Sequence, residues 1–145
     1  MTQKDDFKLQ DFLPYLLNQA AEESSLAFQQ VYKDRYGMLR TEWRVLFHLG
    51  IYGQMSAKDI GTRTKMHKTK ISRAVAKLES RRMLTRQRDD ADRRLEYLTL
   101  THIGQAAYVD LRGVAQSYDA GLAEQFSEQD ITKLRQMLRH LAGMA

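Results

Sequence analysis

Lys68, Lys70, Arg73 and Lys77 recur along one basic stretch of this chain, and Arg88, Arg93 and Arg94 follow it in and beside a polar loop. Ammonium and guanidinium groups so spaced do no covalent chemistry; they bind anions. Guanidinium adds a planar fork of donors that matches phosphate, or the O6/N7 edge of guanine. Thr69 and Ser72 stand between the cations, as hydroxyls suited equally to phosphate oxygens and base edges. His67 opens the stretch, either as a helix-start residue or as a phosphate contact. The wider segment 55–101 holds thirteen Lys and Arg against six acids, a net of +7 in a chain of formal charge +5, so the remainder sums to −2. Positive charge confined to one segment is the footprint of a face that meets phosphates.

Other chemistries lack their groups. The chain has no cysteine, which removes disulfides, thiolate metal sites and thiol redox switching. His48, His67, His102 and His140 form no pair at i, i+3 or i+4, so no metal site is expected. No glycine-rich phosphate loop, nucleophile elbow or carboxylate pair beside a histidine is present, so neither an enzyme nor a cofactor is expected. No apolar run approaches the ~20 residues of a membrane span, and no signal-peptide pattern precedes Asp11; a cytoplasmic protein without membrane contact is the expectation.

The elements that must position the basic groups are mainly helical, as one proline and eight glycines in 145 residues suggest. Residues 1–8 are polar and read as a flexible arm. Pro14 suits a helix's first turn, and Leu16, Leu17, Ala20, Ala27, Val31 and Tyr32 recur at helical spacing until Gly37. Thr41 is a plausible N-cap for a helix over 42–49 that Gly50 and Gly53 close. Ser56 caps a short helix over 57–64, and a turn at Lys65 and Met66 leads to the basic helix, placed at 67–82. There Ile71, Ala74, Val75, Leu78 and Arg82 share one narrow stripe. The opposite side carries Thr69, Arg73, Ala76 and Ser80, flanked by Ser72 and Lys77. Small residues let that face approach another surface while the cations reach beyond it. Segments 84–88 and 95–100 read as a hairpin, Thr101 caps a helix to about 126, and Ser127 with Asp130 starts the last helix.

Helix, turn, basic helix, then basic hairpin describe a winged helix-turn-helix. The major groove of B-DNA admits one α-helix, and a hairpin tip can reach the adjacent minor groove. Lys68 and Lys70 suit phosphates or base edges, Arg73 is the leading candidate for reading guanine, and Arg93 and Arg94 suit a narrow minor groove. The fold class is therefore mainly α, a winged helix-turn-helix flanked by N- and C-terminal dimerisation helices. Its divisions fall at 1–37, 38–101 and 102–145. Long helices around so small a winged unit leave apolar surface to bury, which favours a homodimer.

The order of several fragments also resembles a known family. Phe12-Leu13-Pro14-Tyr15, Glu42-Trp43-Arg44-Val45-Leu46, the run from Lys68 to Val75 with Leu78-Glu79, and Asp92-Arg93-Arg94 before Leu98-Thr99-Leu100-Thr101 and Gly104 are similar to the MarR family of bacterial transcriptional regulators. The resemblance implies an intertwined homodimer on a palindromic operator, acting as a repressor. It makes Arg94 the arginine that enters the minor groove and Asp92 the carboxylate that orients the wing. It further implies a small organic effector, typically an aromatic acid, whose binding releases double-stranded DNA. Trp43 is expected in the core; with Arg44, His48, Tyr15, Tyr52 and Tyr108 it completes the candidate pocket lining. The alternative is an architectural, nucleoid-type protein that binds DNA with little sequence preference.

Overall fold

A computed structural model describes residues 5–144 of the chain. After a 3₁₀ turn, Leu9–Asp11, the chain runs through α1 (Leu13–Tyr36), α2 (Arg40–Tyr52), β1 (Met55–Ser56), α3 (Ala57–Thr64), α4 (Lys68–Ser80), β2 (Leu84–Arg88), β3 (Glu96–Leu100), α5 (His102–Ala123) and α6 (Glu128–Leu141). The first half of the expected arm, residues 1–4, lies outside the described residues.

Local chemistry sets most boundaries. Pro14 occupies the first turn of α1, where its missing N–H leaves no bond unmade. Gly37 ends that helix at φ 62°, a left-handed conformation that favours glycine. Ser56, Thr101 and Ser127 each accept a backbone N–H three residues on, from Asp59, Gly104 and Asp130, all at 3.1 Å. The expected cap at Thr41 is not made: α2 starts at Arg40 behind Leu39, and the Thr41 hydroxyl donates instead to Glu42 at 2.9 Å. Nor does Gly50 end α2. It lies inside the helix, and glycine is needed there because a Cβ would sit 2.4 Å from the Tyr108 ring of α5.

The basic helix is shorter than its periodicity suggested. It stops at Ser80, and Arg82 turns left-handed (φ 60°) with its side chain exposed, so Arg82 does not extend the buried stripe. The sheet also holds a third strand that the sequence did not announce. The order is β1-β3-β2, antiparallel throughout, with Met55 opposite Leu98 and Leu84 opposite Leu100. Two residues are too few to carry an alternation.

One core joins the winged unit to the long helices: Leu46, Leu49, Ile60, Val75, Leu78, Leu98 and Leu111 are each at most 3% exposed. An aromatic group extends it between α1, α2 and α5. Trp43 lies parallel to Tyr32 at 6.0 Å, and Phe28 meets Tyr118 at 5.8 Å. By contrast α6 buries no residue, and Met137, Leu138 and Leu141 face outward. Phe7, Leu9, Phe12, Leu13 and Leu16 do the same at the other end of the chain.

Candidate nucleic-acid interface

Two short helices crossing closely make the platform. A Cβ on Gly61 of α3 would reach the Ile71 side chain at 3.0 Å, so glycine there lets α4 approach. Ile71, Ala74, Val75 and Leu78 fill the inner side of α4, each at most 3% exposed. Burying four apolar side chains along one stripe holds the helix's rotation about its own axis, and that rotation decides what its outer side offers. At its start His67 is the N-cap, Nδ1 accepting the Thr69 N–H at 3.1 Å, which takes the first of the two roles open to it.

The outer side carries Lys68, Thr69, Lys70, Ser72, Arg73, Ala76 and Ser80, all exposed. Lys68, Lys70 and Arg73 enter none of the ion pairs found among the described residues. Cations left without acidic partners keep their donors for an anion from outside. Lys77 differs. Its Nζ lies 3.7 Å from Oε1 of Glu42, a carboxylate on α2 that is 1% exposed. That oxygen has no hydrogen bond, so Lys77 answers a buried charge within its own fold.

The wing is built by two aspartates. Asp89 Oδ1 accepts the N–H groups of Ala91 and Asp92 at 2.7 and 3.2 Å, closing the loop on itself. Asp92 Oδ1 accepts the N–H of Arg94 at 3.1 Å and its Nε at 3.2 Å. The Arg94 side chain is nevertheless 92% exposed, so it is oriented at its root and free at its tip. Arg88 and Arg93 are exposed as well. Arg86 instead bridges Glu79 of α4 and Glu96 of β3 at 3.1 and 3.2 Å, joining the root of the wing to the basic helix.

Of the candidate pocket residues, one borders one of two hollows among the described residues. Tyr108 is buried against Gly50 and Phe47, and Trp43 packs in the aromatic core with its Nε1 buried and lacking an acceptor among the described residues. His48 Nδ1 lies 2.6 Å from the Arg44 carbonyl, and its ring meets Tyr52 at 5.9 Å. Tyr52 is exposed beneath the Arg63 guanidinium, 4.1 Å above its ring, and borders an open hollow of about 580 Å³. Tyr15 lies in the first turn of α1. A second hollow of about 550 Å³, between α3 and α4, is lined by none of the six. Among the described residues no cluster of three His, Asp or Glu side chains is placed to hold a metal ion.

Sequence reasoning passed over the ties at the far end of α4. Arg81 Nη1 donates to the Tyr36 carbonyl at the end of α1. The Tyr36 hydroxyl donates to Asp110 of α5 at 2.5 Å, and Arg35 pairs with the same carboxylate at 2.8 Å. Burial and then the Asp110 carboxylate push the Tyr36 phenol up to about 12. The Tyr36 hydroxyl and then Arg35 hold Asp110 below the usual carboxylate range. Burial alone raises Tyr32, against the opposing charge of Arg40. Partners 74 residues apart leave no local spacing to find.

A model of the MarR family matches residues 36–95, from the end of α1 to the loop of the wing, short of β3. Over that stretch the chain is similar to the MarR family. No curated protein sequence matches it. A MarR family transcriptional regulator from Silicibacter pomeroyi DSS-3 is 26% identical with a TM-score of 0.82, over 95% of this chain and 98% of that one. BpsR of Bordetella bronchiseptica, whose DNA binding is regulated by 6-hydroxynicotinic acid, is 21% identical with a TM-score of 0.86, over 97% and 100%. MepR of S. aureus, solved in complex with DNA, is 18% identical with a TM-score of 0.81, over 91% and 97%. The last two likenesses concern the fold. The MarR-family winged helix-turn-helix is thus complete here, flanked by α1, α5 and α6. Among the described residues no helix is long and apolar enough to cross a membrane.

Proposed function

We propose that this chain is a transcriptional repressor of the MarR type, sequence-specific, that binds a palindromic operator as a homodimer. One observation carries the reading. A helix locked by its inner stripe turns outward a side of small residues with Lys68, Lys70 and Arg73, unpaired among the described residues, beside a wing whose Arg94 is oriented yet exposed. Arg73 reads a base edge, Lys68, Thr69, Lys70 and Ser72 hold phosphates or edges, and Arg94 enters the minor groove with Arg93 and Arg88 at its rim. Outward apolar side chains at the start of α1 and along α6 support the homodimer, because a lone subunit rarely leaves so much uncovered. The divisions 1–37, 38–101 and 102–145 then serve dimerisation, DNA binding and dimerisation.

The effector is a small organic acid of the aromatic class, bound where the long helices meet the winged unit. The likeness to BpsR supports this. The pocket forms between subunits.

Selection of duplexes from a random pool, followed by titration in rising salt, tests the reading. A repressor prefers its selected site over random duplex by about 10³-fold or more, and affinity falls steeply with salt. Binding without enrichment of any site returns the architectural alternative. Affinity indifferent to salt removes the electrostatic basis of both.

A further inference from the structure

We infer that Arg81 is a positioning residue for operator binding: its cap on α1, continued through Tyr36 to Asp110, fixes the pitch of the recognition helix against the long helices and so sets the half-site spacing a dimer accepts. The inference rests on the proposed dimeric reading.

The end of α1 supplies the anchor. A helix leaves its last carbonyls without partners in the helix, and its C-terminus attracts cations. Gly37 N–H closes on the Lys33 carbonyl at 2.8 Å and Met38 N–H on Tyr32 at 3.2 Å, which leaves the Tyr36 carbonyl for Arg81. Gly37 makes room: a Cβ there would meet the Arg81 guanidinium at 3.2 Å. The cap therefore comes from a different element, the residue that follows the last turn of α4.

The other side of the same turn is held by α5. The Thr101 hydroxyl donates to the Arg82 carbonyl at 2.6 Å, and Thr101 N–H donates to the Met83 carbonyl at 3.0 Å. Tyr36 and Arg35 join α1 to α5 through Asp110. The end of the recognition helix thus sits at one corner of a closed triangle whose other corners are the two long helices. Of the groups that close it, Arg81 is the side chain that ties α4 to α1.

DNA makes such a triangle consequential. One base pair more or less between half-sites shifts the second by about 3.4 Å and rotates it by about 35°. A stiff frame rejects that change; a frame loosened at Arg81 tolerates it.

The experiment uses full-length protein and the duplex that the wild type selects from a random pool, with the spacing between half-sites changed by one base pair either way. Wild type is expected to bind the altered spacings at least about tenfold more weakly. Arg81→Ala narrows that preference to within about threefold while single half-site affinity and salt slope hold, and Arg81→Lys recovers part of it. Tyr36→Phe, which keeps the fold and the Arg81 cap but cuts the bond to Asp110, narrows it as well and carries the test if Arg81→Ala does not fold. An unchanged spacing ratio in the folded variants overturns the inference. A uniform loss on all duplexes with a reduced salt slope does so too, by making Arg81 a phosphate contact. If the wild type selects no site, the functional reading fails first and this inference with it.

Discussion

Alanine in place of glycine at two positions of one helix, α5, should have opposite effects. Gly104 lies in its first turn, where a Cβ would stand 2.0 Å from the Met83 carbonyl oxygen and 2.9 Å from its carbon. Ordinary contact needs more than an ångström beyond that, and the neighbour is backbone. The same oxygen accepts the Thr101 N–H at 3.0 Å, so it cannot swing aside without breaking that bond. Overpacking costs about 1–3 kcal/mol and the lost hydrogen bond about 1 kcal/mol, against a helix-propensity gain of about 0.5–1 kcal/mol. Gly104→Ala should therefore destabilise the protein by about 1–3 kcal/mol. At Gly113, further along the helix, a Cβ would meet nothing within 4 Å, so Gly113→Ala keeps only the gain, about 0.5–1 kcal/mol. Urea unfolding of both variants at fixed protein concentration reads the two signs directly. A Gly104→Ala protein as stable as the parent would refute the reasoning, because the base of the wing would then be free to shift away from α5.

Three further perturbations address the interface and its supports. Arg73→Ala should cost about 1–3 kcal/mol of operator affinity and relax preference at one base position, read by binding to single-base operator variants; a loss equal on every sequence would make Arg73 a phosphate contact. His67→Ala removes the side-chain acceptor at the start of α4, so local opening should become easier by about 1 kcal/mol. Hydrogen exchange at the Thr69 and Lys70 amides reports this, and His67→Asn should restore protection. Tyr36→Phe should flatten the dependence of stability on pH at both ends. The bonds of Asp110 stabilise the fold above the ordinary carboxylate range and are lost as acid titrates its lowered group. The Tyr36 phenol, pushed up to about 12, contributes below the ordinary phenol range and is lost as pH climbs through that value. Unfolding followed across pH that is identical for variant and parent would contradict this.

Much of the molecule was legible in local pattern. The stripe of Ile71, Ala74, Val75 and Leu78, the caps at Ser56, Thr101 and Ser127, and the stop at Gly37 each depend on residues within a turn or two of one another. Where a local rule failed, a distant group had prevailed. Gly50 reads as a helix stop, yet it serves the Tyr108 ring, and Thr41 reads as a cap, yet it faces Glu42. Arg82 continues the periodicity of α4 on paper, but Met83 must turn to meet α5.

What the sequence by itself determined is the identity of the basic helix and wing, because charge and periodicity are properties of neighbours along a chain. Tertiary structure alone decided which cations remain free. Lys77 is drawn to a buried carboxylate 35 positions earlier, Arg86 spans two elements, and Arg81 caps another helix, whereas Lys68, Lys70 and Arg73 find no acid among the described residues. Charge is written residue by residue; its neutralisation depends on which groups packing brings within a few ångströms.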